Sequence, residues 1–110
     1  MSKGIQIIDP EERFPIEVDG ARLWLRRIDS ATLTAIERRH RRDPDRRKIN
    51  EEVLDYVLLD WEGVTSPLGG SEVPCTRENK LRLPTAVKLK VLAAAQMPRA
   101  GEDRAPEPQD

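Results

Sequence analysis

Between Phe14 and Ile28 the apolar residues fall on alternate positions: Phe14, Ile16 and Val18 lead up to Asp19-Gly20, and Leu23 and Leu25 lead away from it. A period of two interrupted by Asp-Gly predicts a β-hairpin closed by a two-residue turn. On its second strand Trp24, Arg26 and Ile28 share the face opposite Leu23 and Leu25, so this face is expected to be partly covered. An isolated hairpin is marginal in water, and this one must pack against helices or a partner.

After Asp29-Ser30 the period lengthens. Leu33, Ile36 and His40 recur at helical spacing behind a capping oxygen, predicting a first helix that ends before Asp43-Pro44, since proline disfavours helical geometry in the residue before it. Asn50 is read as the cap of a second helix, in which Val53, Leu54, Val57, Leu58 and Trp61 form one apolar stripe. Gly63 then supplies the left-handed residue that ends helices. Pro67, Gly69, Gly70 and Pro74 mark residues 63–75 as a loop, Thr76 caps a short helical segment reaching Leu83, and Pro84 opens a last helix over 84–96 with Val87, Leu89, Val91 and Leu92 on its apolar face.

The expected fold is therefore a mainly helical α+β domain, with an amino-terminal hairpin packed on three to four short helices. A chain of 110 residues has room for one core, placed at residues 13–97. Residues 1–12 read as a flexible lead, and residues 98–110, rich in Pro, Gly, Glu and Asp, as a disordered tail. With aromatic content of 4% and charged content of 35%, the core must be aliphatic and much of the surface ionic. Neither a secretory leader nor a membrane-spanning run is visible, and Cys75 is the lone cysteine, so the expected compartment is the reducing cytoplasm.

A formal net charge of -1 gives no global attraction to nucleic acid, so local charge decides. Arg38-Arg39-His40-Arg41-Arg42, continued by Arg46-Arg47-Lys48, could neutralise phosphates. Asp43 and Asp45 interrupt the run, however, and no aromatic stacking platform accompanies it, which favours an acidic protein partner over nucleic acid. His40, the only histidine, has no assignable nucleophile beside it, and Cys75 lacks a catalytic signature. Asp60, Glu62, Glu72 and Glu78 do not follow a calcium-loop pattern, and Gly69-Gly70 lacks the context of a phosphate loop. The reading is a non-enzymatic interaction domain without cofactor or metal. Trp61 lies on the apolar stripe and reads as core, whereas Trp24 is equally suited to packing and to anchoring a partner.

The Asp-Gly hairpin over Phe14–Arg27, the run Leu59-Asp60-Trp61-Glu62-Gly63-Val64, and then Val73-Pro74-Cys75-Thr76, Glu78-Asn79 and Leu83-Pro84 together resemble the small tail assembly chaperones of long-tailed bacteriophages and prophages. The resemblance covers residues from Phe14 to about Ala95. It implies a non-enzymatic factor that binds the tape measure protein, and the tail tube protein as a second partner, keeping them soluble until the tube forms. Trp24, Arg26, Arg38, Arg39 and Arg42 are the expected contact residues, with Trp61, Glu62 and Gly63 as a structural motif. The alternative is a small phage-encoded inhibitor or regulator that binds a host protein or nucleic acid through the arginine-rich helix.

Overall fold

The structure is a computed structural model that describes residues 4–96. The expectations for residues 1–3, 97 and the tail lie outside the described residues. Residues 4–13 are largely exposed and form neither helix nor strand, with a turn at Pro10 and Glu11.

Strands β1 (Phe14–Val18) and β2 (Ala21–Leu25) form the hairpin, in the register Phe14↔Leu25, Ile16↔Leu23 and Val18↔Ala21. Asp19 and Gly20 have φ of 50° and 86°, the positive pair that a two-residue turn needs to follow the strand twist. Pro15 is tolerated because β1 is an edge of the sheet.

Helix α1 (Ser30–Arg39) begins where Asp29 Oδ1 accepts a 2.7 Å hydrogen bond from the Thr32 amide, as the capping signal predicts. Helix α2 spans Arg47–Val57. Asn50 lies inside it and is not its cap. The orphan amides ahead of it go instead to two upstream carboxylates: Asp43 Oδ2 accepts from the Lys48 amide at 2.7 Å, and Asp45 Oδ1 from the Arg47 amide at 3.1 Å. Arg46, at φ 60°, turns the chain into the helix.

A second correction concerns the end of α2. The helix stops at Val57, and Leu58–Glu62 forms strand β3, which pairs antiparallel with β2 to give a three-stranded sheet of order β1-β2-β3. Leu23 faces Trp61, but Leu25 faces Leu58, so β3 carries one extra residue and a bulge. That bulge brings Leu58 and Trp61 inward together although they stand three apart, a spacing that reads as helix in the sequence. Gly63 follows a strand and not a helix.

Helices α3 (Arg77–Leu81) and α4 (Thr85–Gln96) follow, with Thr76 Oγ1 accepting from the Asn79 amide at the start of α3. The core joins Leu23, Leu25, Leu58 and Trp61 of the sheet to Ile36, Val53, Leu54, Val57 and Val91 of the helices. Ile49, one turn before Val53, also lies in it. The opposite sheet face carries Pro15, Glu17, Arg22, Asp60 and Glu62, all exposed, around a half-buried Trp24. Among the described residues no helix is long and apolar enough to cross a membrane.

Candidate functional site: a cationic elbow beside an apolar groove

Trp61 is 6% exposed, and its indole Nε1 donates a 2.7 Å hydrogen bond to the Val73 carbonyl, which ties β3 to the far side of the glycine-rich loop. The loop closes on itself through the Thr65↔Glu72 bridge, and the Glu72 carboxylate accepts from the Gly63 amide. Gly63 has φ 87°, and a Cβ there would come within 3.2 Å of Ala21 Cα. Glu62 is exposed on the outer sheet face. The Trp61-Glu62-Gly63 run is thus joined to both the hairpin turn and the loop.

The expected contact residues occupy several surroundings. Trp24 sits between Pro15 and Asp60 on the outer sheet face. Arg26 is drawn inward: its guanidinium lies 3.9 Å from the Tyr56 ring centroid, and Nε donates to the Tyr56 carbonyl at 2.7 Å, so it stiffens the hairpin against α2. One turn earlier on α2, Glu52 receives hydrogen bonds from Arg39 and from His40, the latter at 2.7 Å. These two bonds hold the Glu52 carboxyl below the usual glutamate range. Arg26 and Arg39 therefore meet successive turns of one helix face.

Arg38, Arg41 and Arg42 are exposed at the elbow between α1 and α2, where they line an open hollow of about 410 Å³ with Arg39, His40, Asp43, Pro44 and Lys48. Arg39 pairs with Glu52, and Arg46 lies 3.5 Å from Glu37. Arg38, Arg41, Arg42, Arg47 and Lys48 make no ion pair among the described residues. Asp43 and Asp45, which divide the basic run in the sequence, accept hydrogen bonds from backbone amides at the start of α2; the bond from the Lys48 amide holds the Asp43 carboxyl below the usual aspartate range.

Cys75 does not line this hollow. It is half-buried, and desolvation pushes its thiol pKa up, away from the thiolate that chemistry would need. Lys80, buried beside it, donates to the Asp55 carboxylate at 3.0 Å and to the Asp55 carbonyl at 3.1 Å, a link between α3 and α2. Among the described residues no group of three His, Cys, Asp or Glu side chains is placed to hold a metal ion.

The feature missed in the sequence is a groove of about 290 Å³ floored by Leu54, Leu81, Leu89 and Leu92, with Asp45 and Lys88 on its rim. Leu89, expected in the core, is 58% exposed. Helix α4 is apolar on nearly every side, yet only Val91 and Ala95 are fully buried. An all-round apolar helix calls for cover on more than one side, and that was the available signal. Comparison with protein-family models, with curated proteins and with solved structures finds no match for this chain.

Proposed function

We propose that this chain is a non-enzymatic tail assembly chaperone of a long-tailed bacteriophage. It acts in the cytoplasm of the bacterial host by binding the tape measure protein, and the tail tube protein as a second partner, and holding them soluble until the tube assembles. The observation that carries the reading is the groove formed by Leu54, Leu81, Leu89 and Leu92. A long helical tape presents apolar stripes that self-associate when exposed, and a leucine-floored groove with a charged rim is suited to cover one such stripe. The resemblance carried by the Trp61-Glu62-Gly63 run and the Pro74-Cys75-Thr76 loop supports the same reading.

The test is co-expression with a tape measure protein from the same genome. The expected result is a shift of the tape measure protein into the soluble fraction and a complex on gel filtration. Leu89→Asp, a change at an exposed side chain, should return it to the pellet while leaving the chaperone folded. Unchanged solubility with and without the chain overturns the proposal.

A second reading, an inhibitor or regulator that binds a host protein or nucleic acid through its arginines, draws on Arg38, Arg41 and Arg42, which make no ion pair among the described residues. Its nucleic-acid form requires affinity for duplex DNA that falls steeply as salt rises.

A further inference from the structure

The apolar groove and the cationic elbow meet at the start of α2. Asp45, Arg47 and Glu51 border the groove, while Asp43, Pro44 and Lys48, in the same short stretch of chain, border the elbow hollow. The start of α2 thus belongs to the border of both, and a helix in the groove can place one end there.

Charge at that end is unbalanced because Arg38, Arg39, Arg41, Arg42 and Lys48 line the hollow against a single carboxylate, Asp43. Asp43 and Asp45 accept from the amides of Asp45, Arg47 and Lys48 and so offset the positive pole of α2, leaving the excess charge of the elbow to its arginines. Arg38, Arg41 and Arg42 carry that excess and make no ion pair among the described residues. An incoming helix meets this field most favourably with its own negative pole, the carboxyl end, and with carboxylates on its last turn.

Resting on the groove reading above, we infer that the helix bound there lies antiparallel to α2 and carries Asp or Glu at its carboxyl end, seated over Arg38, Arg41 and Arg42. A polypeptide fits better than nucleic acid because the hollow adjoins, through residues 44–48, a leucine-floored groove that a phosphate backbone cannot use. Neither surface is lined by an aromatic side chain on which a base could stack.

The experiment is fluorescence anisotropy with three labelled helical peptides sharing one leucine stripe: acids at the carboxyl end, acids at the amino end, and no acids. At low salt the first should bind about tenfold tighter than the uncharged peptide, the scale of a few exposed ion pairs acting together. That gap should close in Arg41→Glu/Arg42→Glu and near ~1 M salt, where the screening length falls to about 3 Å. Leu89→Asp should weaken all three peptides.

Equal affinity for the charged and uncharged peptides overturns the inference and leaves the groove standing. Equal or tighter binding of the peptide with acids at its amino end overturns the antiparallel seating. Tighter binding of duplex DNA than of the carboxyl-acidic peptide, with a steep salt slope, gives the elbow to nucleic acid and overturns the inference. Binding by none of the peptides removes the groove reading together with the inference.

Discussion

Gly63 is where the strand motif touches the hairpin, and its replacement by alanine separates two effects usually confounded at glycine. Gly20 and Gly63 have nearly the same φ, 86° and 87°, but a Cβ on Gly20 meets nothing within 4 Å. At Gly63 it meets Ala21 Cα at 3.2 Å and the Gly20 carbonyl oxygen at 3.4 Å, both backbone atoms that cannot swing aside. Left-handed geometry costs an alanine about 1–2 kcal/mol, and the loss of glycine's freedom in the unfolded chain returns about 0.4–1 kcal/mol. Gly20→Ala should therefore destabilise by about 1 kcal/mol. Gly63→Ala carries the same strain plus about 1–3 kcal/mol for crowding a packed site, for a total near 2–4 kcal/mol. Urea unfolding followed by tryptophan fluorescence reads both variants, and about 4–8 °C of Tm accompanies each kcal/mol in a domain of this size. Adding Ala21→Gly should rescue little, since it removes only the 3.5 Å side-chain contact. If Gly63→Ala is no more damaging than Gly20→Ala, the proposed seat of β3 on the hairpin turn is wrong.

Other substitutions test other joints of the fold. Trp61→Phe keeps a ring in the core but strips the Val73 carbonyl of its donor, and should cost about 1–3 kcal/mol in urea titration, with faster proteolysis in the 63–75 loop as a second readout. Lys80→Met removes the cation shared by the Asp55 carboxylate and carbonyl, and should destabilise by about 1–3 kcal/mol, whereas the exposed neighbour Arg82→Met should change little. Glu52 has a folded-state pKa below its unfolded value, so its contribution is complete above the ordinary glutamate pKa of about 4.3 and disappears as pH falls through the lower folded value. Glu52→Gln should accordingly flatten the loss of stability on acidification below about pH 4.3, and an unchanged slope would contradict the Arg39–Glu52–His40 cluster.

Local chemistry was legible in the sequence wherever one short segment decides the outcome. Asp19-Gly20 specifies its turn through two positive φ values, and Asp29 and Thr76 each cap a helix with their own oxygen. Strand β3 was not legible, because the bulge opposite Trp24 and Leu25 gives Leu58 and Trp61 a helix-like spacing, and only the open edge of β2 converts that run to a strand. At the start of α2, Asn50 looked like a cap, although Asp43 and Asp45 reach forward from outside the helix to do that work. The acids interrupting the basic run thus face the helix amides and form no ion pair with its arginines. The groove required α2, α3 and α4 to converge, which no single periodicity encodes; only the excess apolar surface of α4 pointed toward it.

Amide hydrogen exchange on the complex with a tape measure protein probes most directly whether leucines of the helical layer, and not the sheet, grip the partner. The account predicts slower exchange in α2 around Leu54 and in α4 from Thr85 to Leu92, with β1 and the surroundings of Trp24 unchanged. Slowing confined to the Trp24 face of the sheet, with α4 exchanging as in the free protein, would contradict it.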